Sequence, residues 1–130
     1  MRKLLYLFRD MIYTGYYSKL KMYKESGLKT ISISRTEPKS ITVDGKIIEL
    51  APSQELFEKS KSGCISNMEY TSMYLDQLDT LGIKNILLLI HNYGDDVVLL
   101  CWEAPNKFCH RHILADYINK RTKLEIKEYD

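Results

Sequence analysis

The seven residues Asp96-Val-Val-Leu-Leu-Cys-Trp102 constrain this chain more than any other stretch. They are apolar without alternation, so a strand here has both faces covered. That is the signature of a central strand in a parallel sheet, which needs helices packed against it on either side. Pro105 and Asn106 then break the chain. A helix is expected from about Phe108 to Lys120, with Ile113, Leu114, Tyr117 and Ile118 on one face. Leu124 to Tyr129 alternates and reads as an end strand with one wet face.

The rest of the chain supplies further strands and helices in alternation. Met11 to Thr14 reads as a strand stopped by Gly15. Ser18 to Ser26 reads as a short helix with Gly27 as its stop. Leu28 to Ser34 is β-branched and alternating, hence a strand. Ser40 to Val43, Asp44-Gly45 and Lys46 to Leu50 carry a hairpin signal, because Asp-Gly suits the positive-φ positions of a type I′ turn. Pro52-Ser53 opens a helix to about Lys61, with Ser53 as N-cap. Ser66-Asn-Met-Glu69 fits a capping box and opens a helix that ends at Leu81, before Gly82. Ile83 to Asn92 is ambiguous: Leu87 to Ile90 fits a buried strand, but the Leu-rich run ending in Asn92-Tyr-Gly94 favours a helix. The expected architecture is therefore α/β: a mainly parallel central sheet with helices on both faces and a β-hairpin insertion near residues 40–50.

With 130 residues the chain makes one domain, residues 1–130, large enough to bury a core without disulfide staples. Residues 1–10 look like an N-terminal extension. Three cysteines do not complete a disulfide framework, so Cys64, Cys101 and Cys109 read as reduced thiols in a cytoplasmic protein. That location argues against a disulfide between Cys101 and Cys109. Arg9 and Asp10 interrupt the only apolar run near the N-terminus well short of the roughly 18 residues that a membrane helix needs. The formal net charge of +2 says little about partners. Residues 1–29, however, hold seven basic side chains against two acidic ones, either an ordinary solvated face or a basic face toward phosphate.

In open α/β sheets ligands sit beyond the carboxyl ends of the strands. Three loops lie there: Tyr13 to Ser18, Arg35 to Glu37, and residues 103–111. In the last, Cys109, His110 and Arg111 fall in the first turn of a helix, where free N–H groups and the helix dipole favour an anion. One reading makes Arg111 and those N–H groups an anion pocket. A second makes Cys109 a nucleophile assisted by His110 or His112. A third makes the trio structural, with Cys109 buried and His110 packing. Glu103 is a candidate general base or hydroxyl acceptor, or else a solvated loop carboxylate. Thr14 and Gly15 leave room for a ligand near the backbone, or simply stop a strand. Tyr16 and Tyr17 are candidates for stacking on a ring, although packing accounts for most tyrosines. Arg35 is a candidate second anion donor, or equally an ordinary surface arginine. A metal site from Cys101, Cys109, His110 and His112 is conceivable but disfavoured: their spacing matches no familiar zinc pattern, and adjacent ligands on a helix diverge. Glycine-rich phosphate loops are absent, and no cofactor is implied.

The run Val97-Val-Leu-Leu-Cys-Trp-Glu-Ala-Pro-Asn-Lys-Phe-Cys-His-Arg-His-Ile-Leu-Ala-Asp116 resembles the signature of domain-of-unknown-function family 488, an apolar strand followed by Cys-His-Arg at a helix start. Ile12 to Tyr17, Thr30 to Arg35 and Leu50 to Pro52 resemble further family segments, so the likeness spans about residues 11–129. It implies a compact α/β fold and a shared polar site from Cys109, His110 and Arg111. It implies no reaction.

The leading functional expectation is a site that binds or processes a phosphate-bearing nucleotide or nucleic-acid ligand. Arg111 would hold the anion, Tyr16 or Tyr17 would stack, and Glu103 would orient a hydroxyl. A non-enzymatic sequestering or partner-binding module is the second expectation, and a Cys/His redox or metal site the third.

Overall fold

A computed structural model describes residues 11–104 and 106–129. The N-terminal extension, including Arg2, Lys3 and Arg9 of the basic segment, and the chain break at Pro105 lie outside the described residues.

Among the described residues, five parallel strands form one sheet. Strand β1 (Ile12–Tyr16), helix α1 (Leu20–Glu25), β2 (Lys29–Ser32) and β3 (Gly45–Lys46) come first. Then follow α2 (Gln54–Lys61), α3 (Asn67–Leu81), α4 (Ile83–His91), β4 (Val97–Cys101), α5 (His110–Arg121) and β5 (Lys127–Glu128). The order across the sheet is β3-β2-β4-β1-β5. Strand β4 is central. It pairs with β1 from Ile12 opposite Val97 to Tyr16 opposite Cys101, and with β2 from Lys29 opposite Val97 to Ser32 opposite Leu100.

The lack of alternation in β4 has the expected cause. All five of its residues are buried. Val97 and Leu99 join the larger core, built with Leu56, Tyr74, Leu78, Ile86, Ile90, Leu114 and Ile118 from α2 to α5. Val98 and Leu100 join the smaller core on the opposite face, with Leu20 and Tyr23 of α1. Burying one such aliphatic side chain contributes about 2 kcal/mol, so both faces of β4 hold the domain together.

Local signals set the helix ends. The Ser53 hydroxyl accepts from the Leu56 N–H at 3.2 Å. Ser66 and Glu69 close the full capping box. Gly82, at φ +85°, ends α3 and starts α4 within one residue. Helix α4 buries Ile86, Leu87 and Ile90. Among the described residues no helix is long and apolar enough to cross a membrane.

Two expectations are corrected. There is no hairpin at residues 40–50. Gly45 and Lys46 instead pair in parallel with Ile31 and Ser32, and Ile48–Leu50 form a 3-10 turn. The Asp44 carboxylate accepts from the Thr30 N–H at 2.8 Å and from its hydroxyl at 3.0 Å, which pins the segment to β2 instead of turning it back. Gly45 serves close approach: a Cβ there would lie 2.8 Å from Cζ of Tyr93. Gly15 does not stop β1 either. The strand runs on to Tyr16, and the missing side chain makes way for the Tyr23 ring, whose Cζ would lie 2.6 Å from a Cβ at Gly15.

Candidate functional site

Helix α5 begins two residues later than the Phe108 start that the sequence suggests, which leaves Cys109 outside its first turn. Cys109 is the N-cap, with extended backbone (φ −157°, ψ 146°), and His110 is the first helical residue. This geometry turns Cys109 back toward the end of β4, where Cys101 lies. The two are joined in a disulfide, their Cα atoms 7.5 Å apart. The expectation of three reduced thiols is thereby corrected, and Cys64 alone among the described cysteines is free and exposed.

His110 is buried, with 6 % exposure. Its Nε2–H donates to the Ile33 carbonyl at 2.5 Å. A carbonyl only accepts, so the proton sits on Nε2 and Nδ1 keeps its lone pair. Nδ1 lies 3.8 Å from Cys109 Sγ. Burial pushes the imidazolium pKa down to about 4; the Ile33 carbonyl opposes the shift, and the charge of Arg111 and nearby His112 reinforce it. The ring is neutral at ordinary pH.

Arg111 is buried at 0 % exposure. Its Nε and Nη2 donate to the two oxygens of Glu128 at 3.1 and 2.9 Å, and Nη1 donates to Cys101 Sγ at 3.0 Å. Burial pushes the Glu128 carboxyl up, but hydrogen bonds from Arg111 and from Thr14 outweigh it, so the carboxyl is held below its ordinary range. Arg111 is thus a clamp joining α5, β4 and β5.

A cleft of about 170 Å³ opens at the carboxyl ends of β2 and β4. Ser34, Arg35 and Thr36 line it after β2. Cys101, Trp102, Glu103, Cys109 and His110 line it after β4. Phe57 and Ser60 of α2, Tyr70 of α3 and Phe108 complete the walls. Trp102 and Phe108 are large rings left 50 % and 42 % exposed. The Trp102 ring is steered by its N–H, which donates to the Thr36 carbonyl at 2.9 Å. Phe108 packs edge-on against Tyr70 with centroids 5.3 Å apart. The Arg35 guanidinium donates one bond, to the Pro52 carbonyl at 3.0 Å.

Of the residues singled out from sequence, Arg35, Glu103, Cys109 and His110 meet at this cleft. The loop after β1 does not reach it. The Thr14 hydroxyl donates to Glu128 at 2.6 Å. Gly15 is filled by Tyr23, whose hydroxyl accepts from the Tyr16 N–H at 3.2 Å. Tyr16 lies under Arg111, 5.8 Å from ring centroid to guanidinium carbon. Tyr17 is buried behind the cleft, its hydroxyl bonded to those of Ser32 and Ser34 at 2.8 and 2.5 Å. His112 lines a separate, larger hollow of about 510 Å³ with Asp116 and Lys120. Sequence reasoning missed Ser34, Phe57, Tyr70, Trp102 and Phe108. The signal available for Trp102 and Phe108 was their position, two large rings flanking a polar loop at a strand end.

A family model described as the active DUF488-N3 subclade matches residues 16–122. No curated protein and no solved structure shows a match. The matched span includes the cleft and the Cys-His-Arg start of α5, and the chain belongs to the DUF488 family.

Proposed function

We propose that the cleft binds a small, ring-bearing anion of the nucleotide class. The observation that carries this reading is the meeting of exposed aromatic rings, Trp102 and Phe108, with the Arg35 guanidinium at one strand-end cleft. Aromatic faces stack on a planar ring. Arg35 uses one of its five N–H donors on Pro52 and offers a fork suited to phosphate or carboxylate. The volume of about 170 Å³ takes a base or a sugar but less than a whole nucleotide, so the phosphate would sit at the rim, near Arg35. Glu103, exposed at the same rim, would accept from a ligand hydroxyl. Arg111 contributes by holding the floor of the cleft through Cys101. A cytoplasmic setting goes with this reading.

Thermal shift and calorimetry with nucleoside phosphates and inorganic phosphate test it. Wild type should be stabilised by at least one nucleoside phosphate. Arg35→Ala and Trp102→Ala should each weaken binding about tenfold, equivalent to about 1.4 kcal/mol, while keeping the melting temperature of the unliganded protein. If no phosphate ligand stabilises wild type at saturating concentration, the reading fails.

A further inference from the structure

The floor of the cleft carries a second chemistry. The sulfurs of Cys101 and Cys109 and the Nδ1 of His110 all lie within 4.8 Å of one another, and all three residues are buried. We propose that, once reduced, Cys101 and Cys109 join His110 to bind a thiophilic divalent cation, with zinc the best fit.

Four features support a built site. The first is spacing. Around a tetrahedral zinc with Zn–S near 2.3 Å and Zn–N near 2.0 Å, neighbouring ligand atoms lie about 3.5–3.8 Å apart. Cys109 Sγ and His110 Nδ1 are already 3.8 Å apart. The second is the tautomer. Metal-bound histidines commonly donate their other ring N–H to a carbonyl, which fixes the ring and directs its lone pair. The Ile33 carbonyl does this for His110. The third is the stabilisation of thiolate. Arg111 donates to Cys101 Sγ, and Glu128 answers its charge, so the guanidinium supports an anionic sulfur without adding a net positive charge beside the ion. The fourth is access. Cys101, Cys109 and His110 all line the cleft, so three protein ligands would leave a fourth position open to water or an anion, the pattern of zinc sites that act on ligands.

Cys109 and His110 do not diverge as two adjacent helical residues would. Cys109 is the extended N-cap and only His110 is helical, so neighbouring residues converge on one point. The disulfide in the structure is the oxidised alternative. A dithiol reductant opens it: the reductant becomes a disulfide, and the cysteines take up two electrons and two protons. Zinc then displaces two protons as both thiolates coordinate. This site stands apart from the nucleotide-class reading, since cation binding needs neither Arg35 nor Trp102.

The test uses the whole chain, reduced with a dithiol and freed of it without air, then titrated with cobalt(II) alone. One equivalent should bind, with thiolate-to-cobalt charge-transfer bands and the intense visible bands of tetrahedral cobalt. Zinc should displace it. Three thiols should react with a disulfide reagent before zinc and one, Cys64, after. Cys64→Ser should bind as wild type. Cys109→Ser and His110→Ala should weaken binding at least 100-fold, with folding checked by circular dichroism. The thiol-protection arm needs no variant, so a misfolded variant leaves the proposal exposed to refutation. It is overturned if reduced wild type shows no charge-transfer band, if all three thiols stay reactive with zinc present, or if the bands are lost in Cys64→Ser.

Discussion

At the scale of single residues, Arg111 decides most about this domain. A guanidinium with no exposure is tolerable only because Glu128 meets it with two hydrogen bonds. Removing one partner of a buried pair costs more than the pair is worth, because it strands a desolvated charge. Glu128→Gln should therefore destabilise the domain by about 2–3 kcal/mol, at or just below the bottom of the range for buried pairs, since the Glu128 side chain keeps 19 % exposure. The pH dependence follows from the lowered carboxyl of Glu128. Near and below its ordinary value the unfolded chain binds more protons than the folded one, so folding stability rises with pH there. The Glu128 contribution is complete above the ordinary glutamate range and is lost as pH falls through the lowered folded value. Urea unfolding of wild type and variant should thus show a wide gap at pH 7 that closes below about pH 4. A gap of constant size would mean that the charge of Glu128 is not what holds Arg111.

At the scale of elements, the boundaries that local chemistry sets were readable and those set by distant partners were not. The capping box at Ser66 and Glu69 is complete within four residues, with the Ser66 hydroxyl accepting at 3.1 Å and the Glu69 carboxylate accepting from the Ser66 N–H at 2.9 Å. Ser66→Ala removes one of these bonds and should cost about 1 kcal/mol, seen as a lower urea midpoint at unchanged slope. Ser66→Asp should restore most of it, and an unaffected alanine variant would show that packing of α3 alone sets its start. By contrast, Asp44-Gly45 has the composition of a turn but is claimed by Thr30 and Tyr93, which only the folded chain brings near. The candidate site divides in the same way. Arg35, Glu103, Cys109 and His110 follow strand ends, so topology delivers them. Phe57 and Tyr70 come from α2 and α3, whose approach depends on how the helices pack. The start of α5, moved from Phe108 to His110, changes Cys109 from a first-turn thiol into a partner of Cys101, a difference smaller than sequence can set.

At the scale of the whole molecule, the sheet is strong in the middle and short at its edges. Strand β4 is paired on both sides and buried on both faces, whereas β3 and β5 are two residues each. Local opening follows this gradient, since edge hydrogen bonds break without exposing much core. Native-state hydrogen exchange should find the amides of Val98, Leu99 and Leu100 opening only with global unfolding. Amides of β3 should exchange on the order of 100-fold faster or more. Strand β5 is the informative case. By length it should resemble β3, yet Glu128 ties it to Arg111 in α5 and to Thr14 in β1. It should therefore exchange more slowly than β3 in wild type, and Glu128→Gln should remove that difference while leaving β3 unchanged. Equal protection of the two edges in wild type would mean that the Arg111 clamp does not reach the backbone of β5. The clamp would then act on the floor of the cleft alone.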